Sequence, residues 1–185
     1  ADVYKRQRKL FEHHMKSFFV NASDPTNVRL LKLEILTNIA TEANISVLLR
    51  EFQTYVYSSD KEFAAATVHA IGRCAAEITE VTDVCMHGLM NLISTKDDTV
   101  VGESVIVIKK LLQMQASDKS SIIKRMTRLL TTVTVPLARA SILWLVGEYV
   151  EKVPKLAPDV LRKMAKSFSE EEDIVKLQIL NLAAK

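Results

Sequence analysis

Residues 122–130 read Ile-Ile-Lys-Arg-Met-Thr-Arg-Leu-Leu, which places the apolar residues Ile122, Met126 and Leu130 at intervals of four. This spacing puts three apolar side chains on one stripe of an α-helix. The same triplet recurs at steps of 37 residues, with a last step of 38. The other copies are Phe11-Met15-Phe19, Leu48-Phe52-Val56, Cys85-Leu89-Ile93 and Val160-Met164-Phe168.

A second apolar pattern precedes each of the last four triplets, and a final copy of it lies at the C-terminus. Its copies begin 35, 37, 37 and 37 residues apart. They are Val28-Leu33-Leu36, Phe63-Val68-Ile71, Val100-Val105-Ile108, Leu137-Ile142-Leu145 and Ile174-Ile179-Leu182. A two-helix unit cannot bury its apolar face alone, so such repeats stack on their neighbours. The sequence therefore predicts an all-α fold, an α-solenoid of HEAT/armadillo-like two-helix repeats with about ten helices.

The expected helices alternate between the two patterns and are separated by short polar or proline-containing stretches. They span residues 10–21, 26–41, 44–58, 61–77, 79–94, 98–113, 118–133, 136–151, 156–169 and 172–185. Short polar residues at the helix starts are expected to accept free backbone N–H groups of the first turn. These capping candidates are Asp24, Asp60, Asp97 or Asp98, Thr134, and Glu172 or Asp173.

Composition indicates one globular array. The chain has 185 residues, of which 48% are hydrophobic and 25% charged, which is typical of a folded protein. No Gly/Ser-rich or Pro-rich linker interrupts it, so residues 1–185 are expected to form a single continuous segment. A net charge of +3 does not by itself imply nucleic acid. Cys74 and Cys85 are expected to be buried free thiols, as in a reducing compartment.

The residues that carry chemistry are scattered. His13, His14, His69 and His87 do not have the spacing of a zinc site. The four glycines are isolated within helical patterns, so the sequence contains no phosphate-binding loop. No Ser nucleophile elbow is present. We therefore predict no enzymatic activity, no catalytic or metal-binding residue, no cofactor and no small-molecule substrate.

One local cluster of basic residues stands out, comprising Lys109, Lys110, Lys119, Lys124, Arg125 and Arg128, with Arg139 following. The second helices of a solenoid line one surface, so Lys124, Arg125 and Arg128 are candidate binding residues for an acidic partner or for anionic lipid headgroups. The alternative is a solvated helix face with mixed counter-charges. No aromatic residues interleave the cluster, which argues against binding of single-stranded nucleic acid.

Long stretches of the chain resemble a known family. Two resemble the trunk of adaptin beta subunits: residues 135–149 (VPLARASILWLVGEY) and 101–115 (VGESVIVIKKLLQMQ). Two others narrow the resemblance to the beta subunits of adaptor protein complex three: residues 33–40 with 49–56 (LEILTNIA, LREFQTYV) and 157–168 (APDVLRKMAKSF). The resemblance extends from about Phe11 to the end of the chain, with departures at residues 20–27 and 115–121.

The resemblance implies a function as well as a fold. Such adaptors are heterotetramers of two large subunits, one medium and one small, which sort transmembrane cargo to lysosomes and lysosome-related organelles. The implied partners are the other adaptor subunits and, through the full complex, an Arf-type GTPase and membrane lipid headgroups. The implied location is cytoplasmic, peripheral on Golgi, endosomal and coated-vesicle membranes. The chain would be an internal segment of the trunk without hinge or appendage. Its apolar C-terminal helix would then lack a partner and self-associate in isolation.

Two other functional classes remain open from the residues alone. The first is a generic HEAT-repeat scaffold, such as a transport receptor or a phosphatase scaffold, which does not require the run from Arg139 to Tyr149 with Trp144. The second is a helical array that binds nucleic acid. It would need a basic stripe along successive repeats, whereas the sequence suggests that the charge is local.

Overall fold

The computed structural model of the chain describes residue 11, residues 13–114 and residues 120–185. Within these residues there are nine α-helices and no β-strand. The helices are α1 (Thr26–Asn38), α2 (Ile45–Tyr55), α3 (Lys61–Glu77), α4 (Thr82–Leu92), α5 (Asp98–Met114), α6 (Ser120–Leu129), α7 (Pro136–Glu148), α8 (Ala157–Lys166) and α9 (Asp173–Ala184). Short 3₁₀ helices span Met15–Phe18, Thr79–Val81, Val150–Lys152 and Phe168–Glu170. The predicted all-α fold is confirmed.

The chain divides into two compact units, Ala1–Gly88 and Leu89–Lys185. In the first unit, α1 and α2 both pack on α3. In the second unit, α7 packs on both α5 and α9, while α6 packs on α7 and α8 packs on α9. Within each unit, therefore, the first helices of successive repeats pack on one another, and second helices pack against them. This is the arrangement that the two interleaved sequence patterns predict.

Most residues of the predicted apolar stripes are buried in the core. Burying a Leu, Ile or Phe side chain contributes about 1.5–3 kcal/mol, so a stripe of three is a large term in stability. The buried members include Leu48, Phe52, Val56, Phe63, Val68, Ile71, Cys85, Leu89, Ile93, Val100, Val105, Ile108, Met126, Ile142 and Leu145. Leu137 and Ile174 depart from the pattern, since they lie in the first turns of α7 and α9 and are 45% and 43% exposed.

The helix predicted over residues 10–21 is wrong from His13 onward, although Phe11 is helical; Leu10 and Glu12 lie outside the described residues. His13 and His14 form a turn, and a four-residue 3₁₀ helix, Met15–Phe18, follows. The Ser17 hydroxyl donates a hydrogen bond to the backbone carbonyl of His14 (2.6 Å), which competes with regular helical bonding. Phe19 then takes an extended conformation. As a result, Phe11 is 49% exposed and Met15 alone among the triplet is buried.

Two of the predicted helix caps are present. The Asp60 carboxylate accepts a hydrogen bond from the backbone N–H of Phe63, and the Asp97 carboxylate accepts from Val100. Glu172 occupies the predicted cap position of α9, but its side chain makes no cap bond. Asp24 and Thr134 are wrong as caps, because Pro25 and Val135 occupy the cap positions of α1 and α7. The Asp24 carboxylate instead accepts from the backbone N–H of Asn21 (2.9 Å) and from Lys32 Nζ (2.7 Å).

A small hydroxyl residue recurs at one position of three first helices. Thr67, Ser104 and Ser141 are spaced by 37 residues and are buried in α3, α5 and α7. The Thr67 hydroxyl donates to the carbonyl of Phe63 (2.8 Å), and the Ser104 hydroxyl donates to that of Val100 (2.6 Å). The bond to the preceding turn satisfies the hydroxyl inside an apolar contact. Thr67 and Ser104 are therefore buried without an unpaired hydroxyl.

Tyr55 connects the segment before α1 to the core of the first unit. Its hydroxyl accepts a hydrogen bond from the backbone N–H of Val20 (2.9 Å), and its ring packs 5.3 Å from that of Phe63. Burial raises the pKa of Tyr55 to about 12, because a phenolate is disfavoured in an apolar environment. The predicted burial of both free thiols is likewise confirmed, and burial raises the pKa of Cys74 to about 11 and that of Cys85 to about 12.

Candidate functional site

The candidate basic residues lie on the polar side of α6. Ile123 and Met126 are fully buried on the opposite side of this helix, which leaves Lys124 and Arg128 exposed one turn apart. The described residues offer no hydrogen bond or ion pair to either cation. Arg125 is half-buried and donates from Nη2 to the side-chain oxygen of Asn91 (2.8 Å). Two of the three candidate cations are therefore free to bind a ligand, while the third is held in place.

A groove of about 390 Å³ lies between α6 and α8, and we call it the α6–α8 groove. Its lining combines buried apolar side chains, three hydroxyls, three cations and one carboxylate. The lining residues are Thr127, Arg128, Leu130, Thr131, Arg139, Leu156, Asp159, Val160, Lys163, Met164 and Ser167. Leu130, Val160 and Met164, which are at most 6% exposed, form its floor. The second helices of two successive repeats thus share a surface, as the solenoid prediction requires.

The basic triplet of α6 recurs in α8. Lys124, Arg125 and Arg128 are each followed, 38 residues later, by Arg162, Lys163 and Lys166, and 38 residues is also the step between the apolar triplets of these two helices. The sequence prediction does not include these three residues, although the repeat register identifies them. The interpretation of the basic charge as local to one repeat is wrong, because it spans two adjacent repeats.

The charge on α6 and α8 is strongly asymmetric. The two helices contain six basic residues and one acidic residue, a net charge of +5. The whole chain carries 25 basic and 22 acidic residues, a net charge of +3. The remainder of the chain therefore has a net charge of −2, so these two helices carry more than the whole net positive charge of the chain. Such a concentration creates a local positive potential that attracts anions.

Asp159 is the acidic residue of these helices, and its charge is already compensated. Its carboxylate pairs with Arg162 Nη2 (2.6 Å) and Lys163 Nζ (3.4 Å). Hydrogen bonds from Arg162 and Lys163 hold the pKa of this carboxyl below its ordinary value. Both cations remain mostly exposed, so solvent screens the pairs and they contribute little stability. Their charged groups stay accessible at the edge of the groove.

Arg139 lies at the end of the groove, and its guanidinium has a structural role. It donates from Nη1 to the carbonyls of Leu130 (2.6 Å) and Val133 (2.9 Å). Its Nε and Nη2 form a two-pronged pair with the carboxylate of Glu171, and the side chains are only 16% and 10% exposed. This pair joins the end of α6, the start of α7 and the turn before α9. Arg139 is therefore neutralised and is not a free cation of the basic cluster.

The remaining members of the predicted cluster do not extend this surface. Lys109 and Lys110 lie on α5, a first helix of the repeat. Lys109 Nζ lies 4.0 Å from the ring centroid of the half-buried Trp144, which is a cation–π contact. Lys119 lies outside the described residues. The structure thus places Lys124, Arg128 and Lys163 on second helices of the repeats. Lys109 and Lys110 lie on a first helix and are separate from them.

Other features of the described residues offer less to a ligand. A second cavity of about 440 Å³ is lined by residues 93–96, 98, 101, 129 and 132–135; it contains one Lys and one Asp and so has no net charge. Over residues 13–114 and 120–185, no three His, Cys, Asp or Glu side chains converge as a metal site would require. Nor does any described helix combine the length and apolar character needed to span a bilayer.

Comparison with known proteins identifies one family. The family described as "Adaptin N terminal region" matches residues 2–185. The chain is 65% identical to mouse AP-3 complex subunit beta-1 over 185 residues, all of this chain and 17% of that protein. It is 34% identical to mouse AP-1 complex subunit beta-1 over 183 residues, 99% of this chain and 19% of that protein. A homology model of the full-length AP-3 complex in an intermediate open conformation matches with a TM-score of 0.80 and 31% identity, over 96% of this chain and 30% of that one.

Proposed function

The chain belongs to the adaptin family, and from this premise we propose that it is a scaffold segment of a heterotetrameric vesicle-coat adaptor. In this role it sorts transmembrane cargo to lysosomes and lysosome-related organelles through protein–protein contacts. The observation that carries the proposal is the 65% identity to mouse AP-3 complex subunit beta-1 along the entire chain. The 34% identity to mouse AP-1 complex subunit beta-1 favours the AP-3 class over other adaptors.

The proposed partners are a second large subunit, a medium subunit and a small subunit, with an Arf-type GTPase and lipid headgroups reached through the assembled complex. The proposed location is cytoplasmic, peripheral on Golgi, endosomal and coated-vesicle membranes. Repeats built from stacked helices commonly present a surface that other proteins bind, which suits a role in assembly. Such a surface needs no catalytic group, so we propose that the chain acts without enzymatic activity, cofactor or small-molecule substrate, and that it does not bind nucleic acid.

We further propose that residues 1–185 form one continuous segment of the adaptin trunk. The chain spans 17% of the length of mouse AP-3 complex subunit beta-1, so cargo sorting belongs to the whole protein and its complex. The regular 37-residue register of the first-helix residues Thr67, Ser104 and Ser141 supports continuity along the chain. A generic transport receptor or phosphatase scaffold has no comparable support, because the adaptin pattern covers residues 2–185.

The proposal is tested with a chimera in which this chain replaces the matched segment of mouse AP-3 complex subunit beta-1. Cells that lack this subunit receive the chimera, and the fraction of a lysosomal membrane protein that reaches lysosomes is measured. We expect the chimera to restore lysosomal delivery. The matched control carries the corresponding segment of mouse AP-1 complex subunit beta-1, and we expect it to restore less. A chimera that folds and is expressed but leaves delivery at the level of the deficient cells would overturn the proposal.

A further inference from the structure

We propose that the α6–α8 groove binds an acidic protein segment that inserts an apolar side chain between the two helices. The groove goes beyond the scaffold role, because it is a docking site for a partner of defined chemistry. Three observations support it: the duplicated basic triplet, the apolar floor and the absence of compensating carboxylates on α6.

The groove has the shape of a peptide site. A volume of about 390 Å³ accommodates a few side chains, within the range of ligand pockets. Leu130, Val160 and Met164 form an apolar floor, and Thr127 and Thr131 also line the groove. Thr127 and Thr131 already donate to carbonyls of their own helix, so their oxygens remain acceptors for a peptide N–H. An apolar anchor on the floor with polar contacts at the rim is typical of specific interfaces.

The charge defines the partner. Arg128 and Lys163 line opposite sides of the groove, with Lys124 and Lys166 one turn away on the same two helices. A segment with carboxylates on both sides of an apolar residue would meet a cation at each rim. Lys124 and Arg128 have no anionic partner in the described part of the chain, so binding would break no ion pair on α6. Charge complementarity of this kind raises the association rate and sets orientation.

The same surface is less suited to a membrane or to nucleic acid. A bilayer presents headgroups in a plane, and these would contact protruding side chains such as Lys124 while leaving the recessed floor of Val160 and Met164 unused. A single strand of nucleic acid stacks its bases on aromatic rings, and none of the residues that line the groove is aromatic. The apolar floor between basic rims therefore favours an acidic peptide.

The test measures binding of a fluorescein-labelled peptide of about twelve Glu, Asp and Leu residues to the whole chain by fluorescence anisotropy. Two matched peptides replace the Leu residues by Ser, or the acids by Gln and Asn. We expect the acidic Leu peptide to bind at least about tenfold more tightly than either, and its affinity to fall as salt rises from about 50 to about 150 mM. Equal binding of the Ser peptide would overturn the proposal, because the floor would then be unused.

Variants locate the site. The double variant Lys124→Glu with Arg128→Glu reverses both charges and is expected to weaken peptide binding at least about tenfold. Replacement of both residues by Gln removes the charges and is expected to weaken binding less. The control Lys61→Glu with Lys110→Glu makes the same charge change at exposed sites on first helices and is expected to leave binding within about twofold. Both variants are compared by circular dichroism to verify the fold. The proposal would be overturned if the control variant lost as much binding as the groove variant, or if the groove variant bound the peptide as tightly as the wild type.

Competing anions give the remaining outcomes. Vesicles with about 30% phosphatidylserine and a short poly-uridine RNA are titrated against the same variants. The proposal would be overturned in favour of a membrane or an RNA if the vesicles or the RNA bound more tightly than the acidic Leu peptide does and this binding depended on Lys124 and Arg128. These in vitro outcomes are independent of cargo delivery, so failure of the groove proposal leaves the adaptor proposal intact, and the reverse also holds.

Discussion

Removal of the Arg139 guanidinium at the end of the α6–α8 groove is expected to destabilise the fold strongly. The side chains of Arg139 and Glu171 are 16% and 10% exposed, and Arg139 also donates to the carbonyls of Leu130 and Val133. Arg139→Ala therefore leaves a nearly buried carboxylate and two carbonyls without their donor. Breaking a buried pair by removing one partner costs about 3–5 kcal/mol.

The assay uses the single tryptophan of the chain. Trp144 lies on α7 together with Arg139, so its fluorescence reports on unfolding of the unit that contains the pair. Urea titration gives the free energy of unfolding, and a loss of about 3–5 kcal/mol corresponds to a drop in Tm of roughly 6–20 °C for a chain of this size. Arg162→Ala is the matched control, because the Arg162 side chain is 74% exposed in its pair with Asp159. It is expected to cost less than about 1 kcal/mol.

A double variant separates the charge from the packing. Arg139→Met with Glu171→Leu removes both charges and is expected to be less destabilised than Arg139→Ala, because no unpaired carboxylate remains. It still loses the two bonds to carbonyls, at about 1 kcal/mol each. If Arg139→Ala costs less than about 1 kcal/mol, or if the effects at the two positions are additive, the pair does not join α6, α7 and the turn before α9 as argued.

Three further predictions concern burial. Because burial raises the pKa of Tyr55 to about 12, its contribution to stability is complete below pH 10 and is lost as pH rises from 10 to 12; the stability difference between the wild type and Tyr55→Phe should shrink over that range, and a constant difference would contradict it. Cys74 and Cys85, with pKa values raised to about 11 and about 12, should react with Ellman's reagent at pH 8 only after unfolding; rapid reaction of the native chain would contradict their burial. Leu177 and Leu180 are 55% and 57% exposed on α9, so the chain should self-associate and Leu177→Lys with Leu180→Lys should reduce its mean mass in light scattering; a monomeric wild type at high concentration would refute this.

The repeat made most of the fold predictable from sequence. Leu48, Phe52 and Val56 are spaced so that they share one face of a helix, and this alone predicts their burial. All three are at most 2% exposed. The helix predicted over residues 10–21 is interrupted because the Ser17 hydroxyl donates a hydrogen bond to the backbone carbonyl of His14. The apolar spacing of this segment does not indicate that bond. The apolar spacing thus predicts which side chains are buried, whereas it does not predict hydrogen bonds between side chains and the nearby backbone.

The candidate site was only partly predictable. Lys124 and Arg128 are identifiable from sequence as a basic pair on one helix face, and the 38-residue step of the repeat also relates the basic residues of α6 to Arg162, Lys163 and Lys166. The pairing of Arg139 with Glu171 was not readable. It joins residues 32 positions apart, and its geometry depends on how the turn before α9 packs against α7.

The most direct test of the account is the composition of the complex that forms around the chain. Mouse AP-3 complex subunit beta-1 carrying this chain in place of its matched segment is purified from cells, and the co-purifying subunits are quantified by mass spectrometry. We expect one second large subunit, one medium subunit and one small subunit for each chimera. Recovery of a folded chimera without these subunits, or with an unrelated partner in their place, would contradict it.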